Sequence, residues 1–103
     1  MVEQPTTPLS IVDNVERHRF EGYLGVELVG VIEYIPLSGK VIATHTEVEP
    51  NHEGEGIASR LVTAMMDQLR AEQRKVQPQC AYVRSWLQRH PDYEDVVDQT
   101  TPR

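Results

Sequence analysis

Residues 49–59 read Glu-Pro-Asn-His-Glu-Gly-Glu-Gly-Ile-Ala-Ser, and this stretch joins a predicted strand to a long amphipathic helix. Gly54 and Gly56 stand where the chain must turn sharply, and glycine lets backbone N–H groups converge into a concave nest. The start of a helix adds unpaired N–H donors and the positive end of the helix dipole. The stretch therefore predicts a site for phosphate or pyrophosphate. A Gly-x-Gly spacing alone also fits a plain strand–helix loop.

Two better-known phosphate motifs do not fit this stretch. A dinucleotide-binding fingerprint needs a third spaced glycine or alanine within a parallel sheet, and a P-loop needs Gly-Lys followed by Ser or Thr. Neither pattern occurs here.

The segments on either side of the turn predict a mixed α/β (α+β) domain. Before it, residues 19–24, 28–35 and 41–48 are strand-like, and their short separations imply antiparallel hairpins, with Pro36 ending the second strand. After it, apolar residues recur at helical spacing from position 56 to about 73. They are Ile57, Ala58, Leu61, Val62, Met65, Met66 and Leu69.

The C-terminal part completes this domain. Residues 75–77 predict a short strand stopped by Pro78, and residues 81–89 a short second helix that ends before Pro91. We assign residues 11–97 to one domain, with flexible tails over residues 1–10 and 98–103.

Composition excludes several classes of function. The net charge of −6 argues against nucleic-acid binding and against docking on an anionic membrane. Cys80 is the only cysteine, so no intramolecular disulfide is possible, and with no signal-peptide pattern we expect a cytoplasmic protein. The four histidines and Cys80 show no metal-site spacing, so we expect no metal.

Four ordered motifs resemble the GNAT superfamily of N-acetyltransferases, in a short single-domain branch. They are His45-Thr46-Glu47-Val48, Gly54-Glu55-Gly56-Ile57-Ala58, Pro78-Gln79-Cys80 and His90-Pro91-Asp92-Tyr93. The resemblance covers residues 19–97. It implies a GNAT-like mixed sheet, mostly antiparallel, with acetyl-CoA as the co-substrate.

The resemblance also implies which residues hold acetyl-CoA. Backbone groups of Glu47, Val48 and Glu49 would pair with the pantetheine arm. The pyrophosphate would lie on Gly54, Glu55, Gly56, Ile57, Ala58 and Ser59. Because a carboxylate beside a pyrophosphate is unfavourable, we expect Glu53 to point away.

Two residues are candidates for the chemistry. Many relatives carry a carboxylate base at the place of Ala43; His45, two residues on, is expected on the same strand face, and a histidine ring can accept a proton. Cys80 would be either an acid toward the CoA sulfur or a nucleophile. Both residues also have purely structural interpretations, as a half-buried strand histidine and a small buried hydrophobe. Trp86 stands near the place of the usual tyrosine acid, which leaves Tyr82 as a weak substitute.

The sequence thus predicts an acetyl-CoA-dependent acyltransferase acting on an amine of an unknown small molecule or peptide. The alternative is a non-catalytic acyl-CoA-binding module, because the usual base and acid are missing. A structural interaction protein that retains the fold is a third possibility.

Overall fold

The computed structural model describes residues 8–99, which form one five-stranded sheet and two helices. The strands lie in the order β1-β2-β3-β4-β5. β1 to β4 form an antiparallel meander, and β5 runs parallel to β4. Their bounds are β1 Leu9–Asn14, β2 Arg19–Leu24, β3 Glu27–Leu37, β4 Lys40–Val48 and β5 Lys75–Pro78. The mixed, mostly antiparallel sheet that the sequence predicts is confirmed.

Helix α1, Ile57–Ala71, connects β4 to β5, and α2, Ala81–Arg89, follows β5. Short 3₁₀ turns occupy Pro50–His52 and Pro91–Val96. The two helices contact each other and contribute to a single core on one face of the sheet. Among the described residues, no helix is long and apolar enough to span a bilayer.

The apolar stripe of α1 forms the centre of that core. Its buried residues are Ile57, Leu61, Val62, Met65, Met66 and Leu69. Gly30 of β3 lets the helix approach closely, since a Cβ there would lie 3.0 Å from Leu61 Cδ1 and 3.1 Å from Ile57 Cγ2. The helix that positions the glycine turn is therefore fixed directly against the middle of the sheet.

The edges of the domain extend beyond the sequence assignment. Leu9 and Ser10, assigned to the N-terminal tail, belong to β1, a strand that the sequence analysis did not predict. Asp98, assigned to the C-terminal tail, is buried, and its N–H donates to Val76 O at 2.9 Å. The rest of the predicted tails, at residues 1–7 and 100–103, lies outside the described residues.

Pro36 does not end β3, contrary to the sequence prediction. The strand continues to Leu37, with Pro36 opposite Val41 of β4. β2 pairs with β3 only as far as Glu33, so β3 is an edge strand beyond that point. Proline is tolerated there because one side of the strand needs no N–H donor.

Strand β4 contains a bulge at Thr44. Glu33 of β3 lies opposite His45, while the next residue, Tyr34, lies opposite Ala43. Thr44 is therefore the extra residue, and a bulge of one residue exchanges the faces of the side chains that follow it.

Candidate functional site

A cleft opens where β4 and β5 separate. β5 pairs with β4 only as far as Ala43, whose carbonyl accepts the N–H groups of Gln79 and Cys80 at 3.0 and 2.9 Å. β4 continues to Val48, and within residues 8–99 no further strand pairs with it on that side. The final residues of β4 therefore border a cleft whose other side is the start of α2.

The three residues that were predicted to bind the pantetheine arm do not all direct their backbone groups toward the cleft. The Glu49 N–H donates to Val29 O at 2.8 Å and is thus already used by the sheet. Because backbone groups in a strand alternate in direction, Glu47 also faces β3, while Val48 faces the cleft. Of the three, Val48 is the residue whose backbone groups are directed toward the open side.

The predicted glycine turn lies at the end of this cleft. Gly54 and Gly56 have φ angles of +85° and +80°, a backbone region that favours glycine. Gly56 precedes the first residue of α1, and within the described part of the chain no side chain caps the helix there. The first N–H groups of α1, from Ile57, Ala58 and Ser59, have no partner within the helix and point out of its end.

A cavity of about 240 Å³ lies at this helix end. The structure brings together the following predicted residues as its lining: Val48, Gly54, Gly56, Ile57, Ala58 and Ser59. Glu53 and Tyr82 also line the cavity. Glu53 is therefore part of the cavity wall, although its carboxylate was expected to point away from the pyrophosphate. Glu47, Glu49 and Glu55 are not lining residues.

His52 is a residue of this site that the sequence analysis missed. Its Nδ1 lies 3.0 Å from Glu55 Oε1, and its Nε2 lies 3.6 Å from Glu27 Oε2. The hydrogen bond with Glu55 and the charges of both carboxylates raise its pKa, although desolvation acts in the opposite direction. His52 is the basic side chain among the cavity's lining residues. Its position beside Gly-x-Gly, among glutamates, was the available signal in the sequence.

His45 is not on the face of β4 that the sequence predicted. The bulge at Thr44 places it on the face opposite to Ala43, away from the helices, and its side chain is 55% exposed. Its Nε2 lies 3.2 Å from Glu47 Oε1. A carboxylate thus contacts the imidazole, on the face of the sheet that the helices leave uncovered.

Cys80 lies on the other side of β4, at the N-terminus of α2. It is buried, and its Sγ lies 3.2 Å from the hydroxyl oxygen of Thr46. The partner of the thiol is therefore Thr46 rather than His45. The two predicted catalytic side chains therefore lie on opposite faces of the sheet. His45 is on the uncovered face, and Cys80 contacts the next residue of β4, Thr46, on the face that the helices cover.

The predicted C-terminal motif has structural contacts. Tyr93 donates its hydroxyl hydrogen bond to Asp67 of α1 at 2.7 Å and packs on Trp86 of α2, with ring centroids 5.2 Å apart. The contacts of Tyr93 are thus with the two helices. His90 stacks on Trp86 with ring centroids 3.8 Å apart. These contacts indicate a structural role for the motif.

The described residues provide no candidate metal site. Among residues 8–99, no group of three or more His, Cys, Asp and Glu side chains has a geometry that could hold a metal ion.

Comparison with known proteins identifies a family model described as GCN5-related N-acetyl-transferase, which matches residues 19–96. A search of curated proteins found no significant match.

Three solved structures share the fold. The solution structure of a GCN5-like putative N-acetyltransferase from Staphylococcus aureus is 18% identical, with a TM-score of 0.66 over 92% of this chain and 91% of that one. The ribosomal-protein-S18-alanine N-acetyltransferase of Escherichia coli is 12% identical, with a TM-score of 0.61 over 72% and 52% of the chains. The ribosomal-protein-alanine N-acetyltransferase of Brucella melitensis biovar Abortus 2308 is 21% identical, with a TM-score of 0.51 over 82% and 64%.

Proposed function

Because the chain belongs to the GCN5-related N-acetyltransferase family, we propose that it binds acetyl-CoA and transfers the acetyl group to an amine of a small molecule or peptide. The observation that carries this proposal is the cavity at the start of α1, where helix N–H donors, two glycines with positive φ and the open end of β4 meet. Such a helix end is suited to a pyrophosphate, and the adjacent unpaired strand edge is suited to an amide-containing arm.

In this proposal the N–H groups of Ile57, Ala58 and Ser59 donate to the pyrophosphate of CoA. The backbone of Val48 pairs with the pantetheine arm along the open edge of β4. Glu55 supports the turn through its hydrogen bond with His52, while Glu47 supports the chemistry by contacting His45.

The reaction needs one proton removed and one supplied. The acceptor nitrogen attacks the thioester carbonyl, the resulting tetrahedral intermediate expels the CoA thiolate, and the amine loses a proton. We assign the base to His45, whose ring can be oriented by Glu47 and which faces the uncovered side of the sheet, where an acceptor has access.

Cys80 is assigned the role of acid toward the departing CoA thiolate, on the cleft side of β4. Its thiol would deliver the proton to the CoA sulfur, and the hydroxyl of Thr46 at 3.2 Å is positioned to hydrogen-bond with the cysteine sulfur. The nucleophile alternative would form an S-acetyl-cysteine first, release CoA and pass the acetyl group to the amine in a second step.

Calorimetric titration with acetyl-CoA, followed by kinetics of two variants, tests these assignments. We expect His45→Ala to bind acetyl-CoA normally and to lose about 100-fold or more in turnover, the scale of general base catalysis. Cys80→Ser separates the two roles of the thiol. If Cys80 is an acid, Cys80→Ser should keep part of the activity. If Cys80 is a nucleophile, the intact mass of the wild-type protein treated with acetyl-CoA should increase by one acetyl group, and hydroxylamine should remove it. Full activity in His45→Ala/Cys80→Ala would refute both assignments.

One observation favours the alternative of a non-catalytic acyl-CoA-binding module. His45 is widely exposed and does not contact Cys80, so the two groups do not form a preassembled pair. Saturable CoA binding without turnover of any amine would support that alternative.

A further inference from the structure

The tryptophan of α2 contacts the first turn of α1 directly. Trp86 is the only tryptophan of the chain, and it is fully buried. Its indole Nε1 lies 3.0 Å from the hydroxyl oxygen of Ser59, in the first turn of α1. An indole N–H can only donate a hydrogen bond. The Ser59 oxygen is therefore the acceptor of this bond, and its own proton remains to be donated elsewhere.

Ser59 belongs both to this hydrogen bond and to the wall of the cavity. The residue lines the cavity at the end of α1 together with Ala58 and Gly56. A serine hydroxyl ordinarily rotates to suit its surroundings. With one lone pair occupied by the buried indole, the remaining directions of the hydroxyl are restricted.

The indole is itself held in place from its other side. The His90 ring stacks on it with centroids 3.8 Å apart and an interplanar angle of 11°, and His90 Nδ1 lies 2.7 Å from the Trp86 carbonyl oxygen. Tyr93 packs against the same ring system. A group that orients a ligand-binding residue is most effective when its own conformation is fixed by packing.

We propose that Trp86 is a positioning residue for coenzyme A, whose indole N–H orients the Ser59 hydroxyl as a donor to the pyrophosphate. This inference rests on the proposed acetyl-CoA site. It extends that site to the buried side of α2, because a residue outside the cavity lining sets the geometry of a donor within it. It also gives the buried Trp86 side chain a function beyond packing.

A double-mutant cycle on CoA affinity tests the inference. We expect Ser59→Ala to weaken CoA binding about tenfold or more, because it removes a hydrogen bond to a charged group. Trp86→Phe should weaken CoA binding about three- to tenfold, because it removes the neutral hydrogen bond that orients the Ser59 hydroxyl. If Trp86 acts through Ser59, adding Trp86→Phe to Ser59→Ala should change the affinity less than about twofold, since interacting residues are not additive. 3′-Dephospho-CoA should show the same pattern, because it retains the pyrophosphate.

Tyr93→Phe provides a matched control. It deletes one hydrogen bond, to Asp67, in the same aromatic cluster but does not touch Ser59. CoA affinity should remain that of the wild type. Additive effects of Trp86→Phe and Ser59→Ala, or an equal loss in Tyr93→Phe, would show that Trp86 is merely structural and would overturn the inference.

Fluorescence of the single tryptophan keeps the inference testable if Trp86→Phe does not fold. CoA should change the Trp86 emission of the wild-type protein with the same Kd as calorimetry, and this response should be much smaller in Ser59→Ala at saturating CoA. An identical response in Ser59→Ala would overturn the inference while leaving the proposed function intact. No CoA binding by wild-type protein would overturn the proposed function, and the inference with it.

Discussion

Replacing Gly56 by valine should weaken CoA binding about tenfold or more. The substitution should also destabilise the fold, and a valine at another glycine of positive φ provides a control for that loss of stability. Gly56 has φ +80° and ψ 12°, a conformation that a β-branched residue adopts only with strain. A Cβ at this position would meet no atom of residues 8–99 within 4 Å, so the strained backbone is the main cost. The expected destabilisation is about 1–3 kcal/mol. In a domain of this size, each kcal/mol lowers Tm by roughly 4–8 °C.

The same side chain should obstruct the ligand. Gly56 lines the cavity at the start of α1, where the pyrophosphate is proposed to lie. A valine there displaces the phosphate from the N–H donors of Ile57 and Ala58. Loss of one charge-assisted hydrogen bond corresponds to about tenfold or more in Kd.

Gly39→Val is the matched control. Gly39 lies in the turn between β3 and β4, has φ +75°, and likewise has no atom within 4 Å of an added Cβ. Its stability cost should therefore be similar, without a change in CoA affinity. Thermal unfolding and CoA calorimetry on both folded variants provide the comparison. Equal CoA affinity in the two variants would refute the placement of the pyrophosphate on this turn.

Two further predictions concern the turn and its support. His52 has a raised pKa because it hydrogen-bonds with Glu55, so its positive charge is fully present below about pH 6.5 and is lost as the pH rises through the raised pKa. CoA affinity should therefore fall over that range more steeply in the wild type than in His52→Gln. Parallel pH profiles of the two proteins would refute a role of the His52 charge in CoA binding. Gly30→Ala should lower the free energy of unfolding by about 1–3 kcal/mol through overpacking against Leu61 and Ile57, measured by urea denaturation, and unchanged stability would show that α1 can shift to make room.

Local patterns in the sequence were sufficient to predict most of the fold. The helical spacing of α1 and the hairpin spacing of β3 and β4 depend on neighbours in the chain, and the helix and the hairpin both form at the predicted places, although β3 continues past Pro36 to Leu37. β1 was missed because its six residues alternate only weakly, with Leu9 and Ile11 packed against the core and Val12 exposed.

The parts of the site that the sequence did not reveal depend on contacts between distant segments. The bulge at Thr44 is defined by pairing with β3, and it alone moves His45 to the other face of β4. The bond from Trp86 to Ser59 joins residues 27 positions apart, and it depends on how α2 packs against α1. By contrast, the glycine turn was located correctly because a strand, two glycines and a helix start are consecutive in the chain.

Release of CoA from acetyl-CoA in the presence of a pool of primary amines is the measurement that decides whether the protein is an acetyltransferase. We expect release that requires the amine, saturates with acetyl-CoA, is inhibited by added CoA and falls strongly in both Gly56→Val and His45→Ala, but not in Gly39→Val. Saturable binding of acetyl-CoA with no amine-dependent release would contradict the assignment of an acyltransferase and favour a binding module, and the absence of binding would contradict the site itself.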